Sequence, residues 1–262
     1  MRRCNLLFGM VLMSLLGLSW AVNPLSAEVV VPAYLFLQPG EGISNELSVT
    51  MAPPDIFPQT DTTTVSGSLD AALYVNFDPD TRAASVTGIG FIGHSPGTLS
   101  FSDMYFYYDL GSYGWASITI ANLLGDLHSP DPPYPVNDGA IPTNGHRIWM
   151  NSGILTIQGY VDGENIDDTN YISDDPLDTP ALGDDGTLTV SAPYLDGGLW
   201  KYDVKLIFPF EFATGEDGDL QSSVTGWIRA VGTFAIPEPG CLAMLGMASI
   251  VALACLSRRI AR

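Results

Sequence analysis

The chain has 262 residues, with 29 acidic side chains against ten basic ones and a formal net charge of −19 at pH 7. Every acid lies between Glu28 and Glu238, where the bases are only Arg82, Arg147, Lys201, Lys205 and Arg229, so that segment carries −24. A surface of this sign excludes nucleic-acid binding, which needs cations against phosphate, and it favours solubility and divalent-cation binding.

At the N-terminus, Met1-Arg2-Arg3 is followed by an uncharged stretch, 5–22, rich in Leu, Met, Phe and Gly. Pro24-Leu25-Ser26-Ala27 then supplies a helix break and a small residue before Glu28. A basic start, an apolar run and a small-residue cleavage site make residues 1–27 a secretory signal peptide, with an uncleaved signal anchor as the alternative. Asn5 stands where a twin-arginine signal wants an apolar residue, so the general secretion machinery is the expected route. Cys4, Cys241 and Cys255 all fall in the end segments. The exported part, 28–235, is therefore built without disulfides and must rely on a core, which its length permits.

Strand signals dominate that part. Residues 200–208 alternate Trp200, Tyr202, Val204, Leu206 and Phe208 with Lys201, Asp203 and Lys205. That is the pattern of a strand wet on one side. Residues 65–77 alternate as well, as do 115–120, 154–161, 187–191 and 224–234, and further strands are expected at 29–37, 47–51, 84–92 and 99–108. Residues 117–127 offer at best a short turn of helix. Two segments, 38–63 and the proline-rich 128–147, read as long loops, because proline cannot donate to a ladder. About ten strands punctuated by Gly, Pro and Asp, with no fixed-period repeat, predict an all-β fold of β-sandwich or jelly-roll type.

Candidate chemistry is sparse. Gly93-His94-Ser95-Pro96-Gly97 matches the Gly-x-Ser-x-Gly of a nucleophile elbow, yet Pro96 has no N–H to offer an oxyanion and a strand pattern follows. A turn between two hairpin strands accounts for the motif. Tyr105, Phe106, Tyr107, Tyr108 and Trp115 are compatible either with a sugar-stacking face or with the two faces of a core strand. Asp162, Glu164, Asp167 and Asp168, and then Glu216, Asp217 and Asp219, concentrate the hard oxygen ligands that calcium takes. No EF-hand spacing is present, and a solvated acidic loop surface explains the same residues. No catalytic constellation stands out, so a non-enzymatic role is expected, with no required cofactor.

The C-terminal stretch has its own logic. From Pro239 to Ser257 there is no charged side chain, and Arg258, Arg259 and Arg262 follow. At ~1.5 Å per residue such a helix approaches the ~30 Å hydrocarbon thickness, and a basic end stays in the cytoplasm. Pro237-Glu238-Pro239, the apolar run and the arginines together resemble the PEP-CTERM sorting signal of bacterial exosortase substrates, over residues 236–262 only. The resemblance implies transient insertion through a transmembrane helix, processing at Pro237, Glu238 and Pro239 by an exosortase, with Arg258 and Arg259 in the signal, and an association with extracellular polysaccharide and biofilm. The expectation is an exported surface or matrix protein with a structural or adhesive role. The alternative is a calcium-dependent carbohydrate-binding module or glycan-processing enzyme.

Overall fold

The computed structural model describes residues 27–94, 97–129, 134–142, 147–177, 185–214 and 220–236. All but the last residue of the expected signal peptide (Ala27) and all but the first of the expected sorting signal (Ile236) therefore lie outside the described residues, as do Glu216, Asp217 and Asp219. The described residues form fifteen strands, every pairing among them antiparallel, and the one helical element there is a 3-10 turn, Gly111–Tyr113. No helix among the described residues is long and apolar enough to cross a membrane. The all-β expectation holds, in the form of one large antiparallel sheet.

Two sections of that sheet meet at a long strand. The first section is built from β1 (Ala27–Leu37), β2 (Glu46–Ala52), β3 (Gln59–Phe77), β4 (Ala84–Phe91), β12 (Gly186–Val190), β13 (Tyr194–Asp196), β14 (Leu199–Thr214) and β15 (Gln221–Ile236). The second contains β5 (Leu99–Phe101), β6 (Met104–Asp109), β7 (Gly114–His128), β10 (Arg147–Val161) and β11 (Glu164–Leu177). The main path runs β11-β10-β7-β5-β3-β1-β15-β14-β12 and ends on β9 (Ala140–Ile141). β3 joins the two sections because its residues 65–67 pair with β5 while the rest pairs with β1, β2 and β4.

Strand β3 also organises its neighbours end to end. β1 pairs with residues 68–77 of β3 and β2 with 59–64, on one edge; β15 takes both on their other side. β1 and β2 thus form one interrupted strand, and the loop between them is pushed out of the ladder. Asn45, 1% exposed, plugs the gap: its Oδ1 accepts the Arg229 backbone N–H at 2.6 Å and its Nδ2 donates to the Arg229 carbonyl at 3.2 Å. Buried backbone groups need such partners when a ladder is broken. Among the described residues, 27–33 of β1 pair with β3 alone, which accommodates Pro32.

The same device recurs on the other edge of β3. β4 pairs with residues 71–77 and β5 with 65–67, and β4 and β5 do not pair with each other. β4 and β5 follow one another along that edge of β3, so the two strands flanking Gly93–Gly97 are not the paired arms of the hairpin expected from the sequence. A second correction concerns 117–127, where a turn of helix was the most that could be read; β7 passes straight through it.

Below the first section the alternation expected from the sequence holds. Tyr202, Val204, Leu206, Phe208 and Phe210 of β14 are each at most 1% exposed, with Leu35, Leu73, Ile89, Ile228 and Ala230 in the same core. Phe208 meets Phe91 and Phe210 edge-on at 5.9 and 6.0 Å, and Tyr202 stacks on Phe234 at 5.0 Å. β8 (Tyr134–Pro135) pairs with β4 and β9 pairs with β12, so the short 134–141 segment bridges the section's two outer strands. The inner face of the second section packs against the lower end of the first: the Tyr108 hydroxyl donates to the Met51 carbonyl at 3.1 Å. An apolar cavity of about 140 Å³ lies between them, lined by Met51, Met104, Met150 and Phe210 among others.

Candidate functional site: an aromatic sheet face

The aromatic run splits by strand parity. In β6, Met104, Phe106 and Tyr108 are buried, whereas Tyr105 and Tyr107 are 54% and 46% exposed. Successive side chains on a strand point to opposite faces, so both readings of the run are realised, each by half of its residues. The outward half belongs to a larger surface.

Register fixes that surface as three rungs across four strands. Asp109, Trp115, Tyr160 and Asn165 form the first; Tyr107, Ser117, Gln158 and Asp167 the second; Tyr105, Thr119, Thr156 and Thr169 the third. Tyr107 and Trp115 stack with ring centroids 6.1 Å apart and planes 20° from parallel. Small Ser117, on the rung of Tyr107, is 5% exposed and donates to the Gln158 carbonyl at 3.4 Å. Tyr160, 46% exposed, stands across from Trp115, and Gln158 donates to Asp167 at 3.3 Å. These twelve positions include two carboxylates and no cation. The arrangement is a nearly flat aromatic patch edged by hydrogen-bonding groups, suited to a ligand with one C–H face and hydroxyl edges.

The calcium candidates that can be placed share one hairpin with this face. Asp162 and Gly163, at φ 54° and 88°, make the two-residue turn between β10 and β11. An Asp-Gly pair at positive φ is the strongly favoured hairpin turn. The segment expected as an acidic loop is therefore strand from Glu164 onward. Asp167 and Asp168 follow one another in β11 and so face opposite sides. Among the described residues no three His, Cys, Asp or Glu side chains gather as a metal would require.

His94, in the Gly93–Gly97 motif, is held by its neighbours. The His94 backbone N–H donates to Asp126 Oδ2, His94 Nε2 lies 2.6 Å from Asp70 Oδ2, and the Asn151 amide donates to the His94 carbonyl at 3.2 Å. Asp126 is 3% exposed, and burial pushes its carboxyl above the ordinary range against the opposing His94 N–H bond. The element after Gly97 is strand β5 rather than the helix that a nucleophile elbow requires. Ser95 lies outside the described residues.

Tyr34 and Phe36 of β1, 60% and 61% exposed, were not singled out from the sequence. They stand in an unbroken apolar run with Val31, Ala33 and Leu35, and such a run reads as a strand buried on both faces. Comparison with protein-family models, with curated proteins and with solved structures finds no match for this chain.

Proposed function

We propose that this chain is an exported, exosortase-sorted surface or matrix protein whose β-sandwich-like domain adheres to extracellular polysaccharide. The observation that carries the adhesive part is the parallel pair Tyr107 and Trp115 on an exposed sheet face, flanked by Tyr105 and Tyr160. Rings held flat by a sheet lose little freedom on binding, and rigid aromatics dominate recognition energetics for that reason. The surrounding Asn165, Gln158, Thr119 and Thr156 supply hydrogen-bonding partners for hydroxyl groups. The signal peptide, the Pro237-Glu238-Pro239 signal and the arginine tail support the sorting part.

The test is retention on immobilised neutral glycans. The native chain should be retained, and Trp115→Ala should weaken binding about tenfold, the equivalent of ~1.4 kcal/mol. Equal retention of a folded Trp115→Ala protein would sink the platform. For the sorting signal, intact-mass spectrometry of the exported protein should find a C-terminus at or near residues 237–239. A chain still carrying Arg258 and Arg259 in that fraction would overturn it.

A further inference from the structure

A second concave surface lies on the outer face of the first section, remote in the strand order from Tyr107 and Trp115. It is a trough of about 920 Å³ running along the strands. Its rungs follow from register: Tyr34, Thr233, Asp203 and Ser191; then Phe36, Val231, Lys205 and Thr189; then Gln38, Arg229, Ile207 and Thr187. Tyr34 and Phe36 form one wall, Asp203 and Lys205 with Thr189 and Ser191 the other. The floor is low because β15 contributes Val231, Gly232 and Thr233 there, with Arg229 of the same strand closing one end. The two walls are two strand spacings apart, roughly 9–10 Å, which leaves room for one saccharide ring between them.

The polar wall is ordered before any ligand arrives. Lys205 Nζ donates to both Glu41 carboxylate oxygens at 3.0 and 2.8 Å, and the Tyr194 hydroxyl donates to Asp203 at 2.9 Å. Arg229 Nη1 donates to the Gln38 carbonyl at 2.9 Å, while its buried Nε has no partner among the described residues. Groups fixed by their neighbours bind without further ordering cost.

Charge selects the occupant. Two of the five cations between residues 28 and 238 are here, and Glu41 and Asp203 balance them. A polyanion would gain nothing from a neutralised trough and would be repelled by a domain carrying −24. A neutral sugar chain meets an aromatic wall for its C–H face and fixed donors and acceptors for its hydroxyls. We propose that the trough is a second glycan site that takes a single neutral polysaccharide strand, so that one molecule joins two chains. Binding in the trough stands alone; the joining of chains rests also on the Tyr107–Trp115 reading.

The experiment is calorimetry of the full-length protein with hydroxyethylcellulose and galactomannan as neutral probes and polygalacturonate as the acidic one, with solution viscosity read in parallel. Tyr34→Ala/Phe36→Ala should weaken the trough's neutral-probe affinity about tenfold or more and remove the rise in viscosity. Both side chains are more than half exposed, so the fold should survive; Val231→Trp, which fills the floor, gives an independent block. Unchanged binding in both variants, no heat with either neutral probe, or a preference for polygalacturonate would each overturn the trough. If Tyr107→Ala/Trp115→Ala abolishes all binding, the trough fails and the flat face stands. If that pair changes nothing while the trough variants abolish binding, the flat face fails and the trough stands.

Discussion

Two hairpins of similar length stand on opposite sides of β3 in the strand path, β14–β15 and β10–β11, and they are stabilised differently. β14 places five consecutive inward side chains, Tyr202 to Phe210, at 1% exposure or less. β11 is exposed at every residue from Glu164 to Tyr171, with Ile172 only half buried. The backbone ladders are comparable, with pairs from Trp200↔Ile236 to Thr214↔Ser222 in one and from Val161↔Glu164 to Ile148↔Leu177 in the other. A strand thus needs a partner and a turn to exist, and it needs burial only to be expensive to remove.

The largest expected effect tests that contrast. Phe208→Ala should cost about 3–5 kcal/mol, because the ring leaves a cavity against Phe91 and Phe210. Leu155→Ala in half-buried β10 should cost only about 1 kcal/mol, since less apolar area returns to water. Urea denaturation midpoints of the two variants decide it, and equal losses would mean that the second section is as firmly packed as the first.

A smaller effect separates the sections by the sign of their pH dependence. Asp78, after β3, is held below its ordinary 3.8 first by the Thr81 hydroxyl and then by the Asp80 and Thr81 backbone N–H groups. The unfolded chain takes up that proton first, so Asp78 stabilises the fold above 3.8, and the contribution is lost as pH falls through the lowered folded value. Asp126 in β7 behaves oppositely: burial raises it, so the folded chain takes up its proton first. Its cost is present near neutrality and fades as pH falls through the raised value toward 3.8. Thermal melts should therefore show native protein gaining on Asp126→Asn as pH falls from about 7 to about 4. A gap that is constant or moves the other way would remove Asp126 as a buried charge that costs stability.

Legibility in the sequence follows the same division. β14 and β15 could be read directly, because one-sided burial writes a period of two into the chain. β7 could be read only as far as residue 120: Asn122 sits at φ 54°, and the register to β10 shifts between Met150 and Ile154. Inward positions accordingly change from Ile118 to Leu123 and Leu127. The resulting apolar spacing of Ile120, Leu123, Leu124 and Leu127 imitates a helical stripe. Residues 164–171 of β11 carry no apolar pattern because neither face is covered there, and the Asp-Gly turn before them reads, from sequence, as part of an acidic loop. The breaks between β1 and β2 and between β4 and β5 depend on β3 lying beside two strands in succession on each edge, which no local pattern records. Of the aromatic residues on the flat face, Tyr105, Tyr107 and Trp115 could be named from sequence, but which side of β6 faced out followed only from packing.

The position of β15 has a mechanical consequence. It is an interior strand, bonded to β14 on one edge and to β1 and β2 on the other, and it is described up to Ile236. A pull on its C-terminal end along the strand axis loads both ladders in shear, so many hydrogen bonds must yield together. Had the same end belonged to β11, a pull would load a single ladder. Any load applied beyond residue 236 would thus pass into an interior strand held by two ladders.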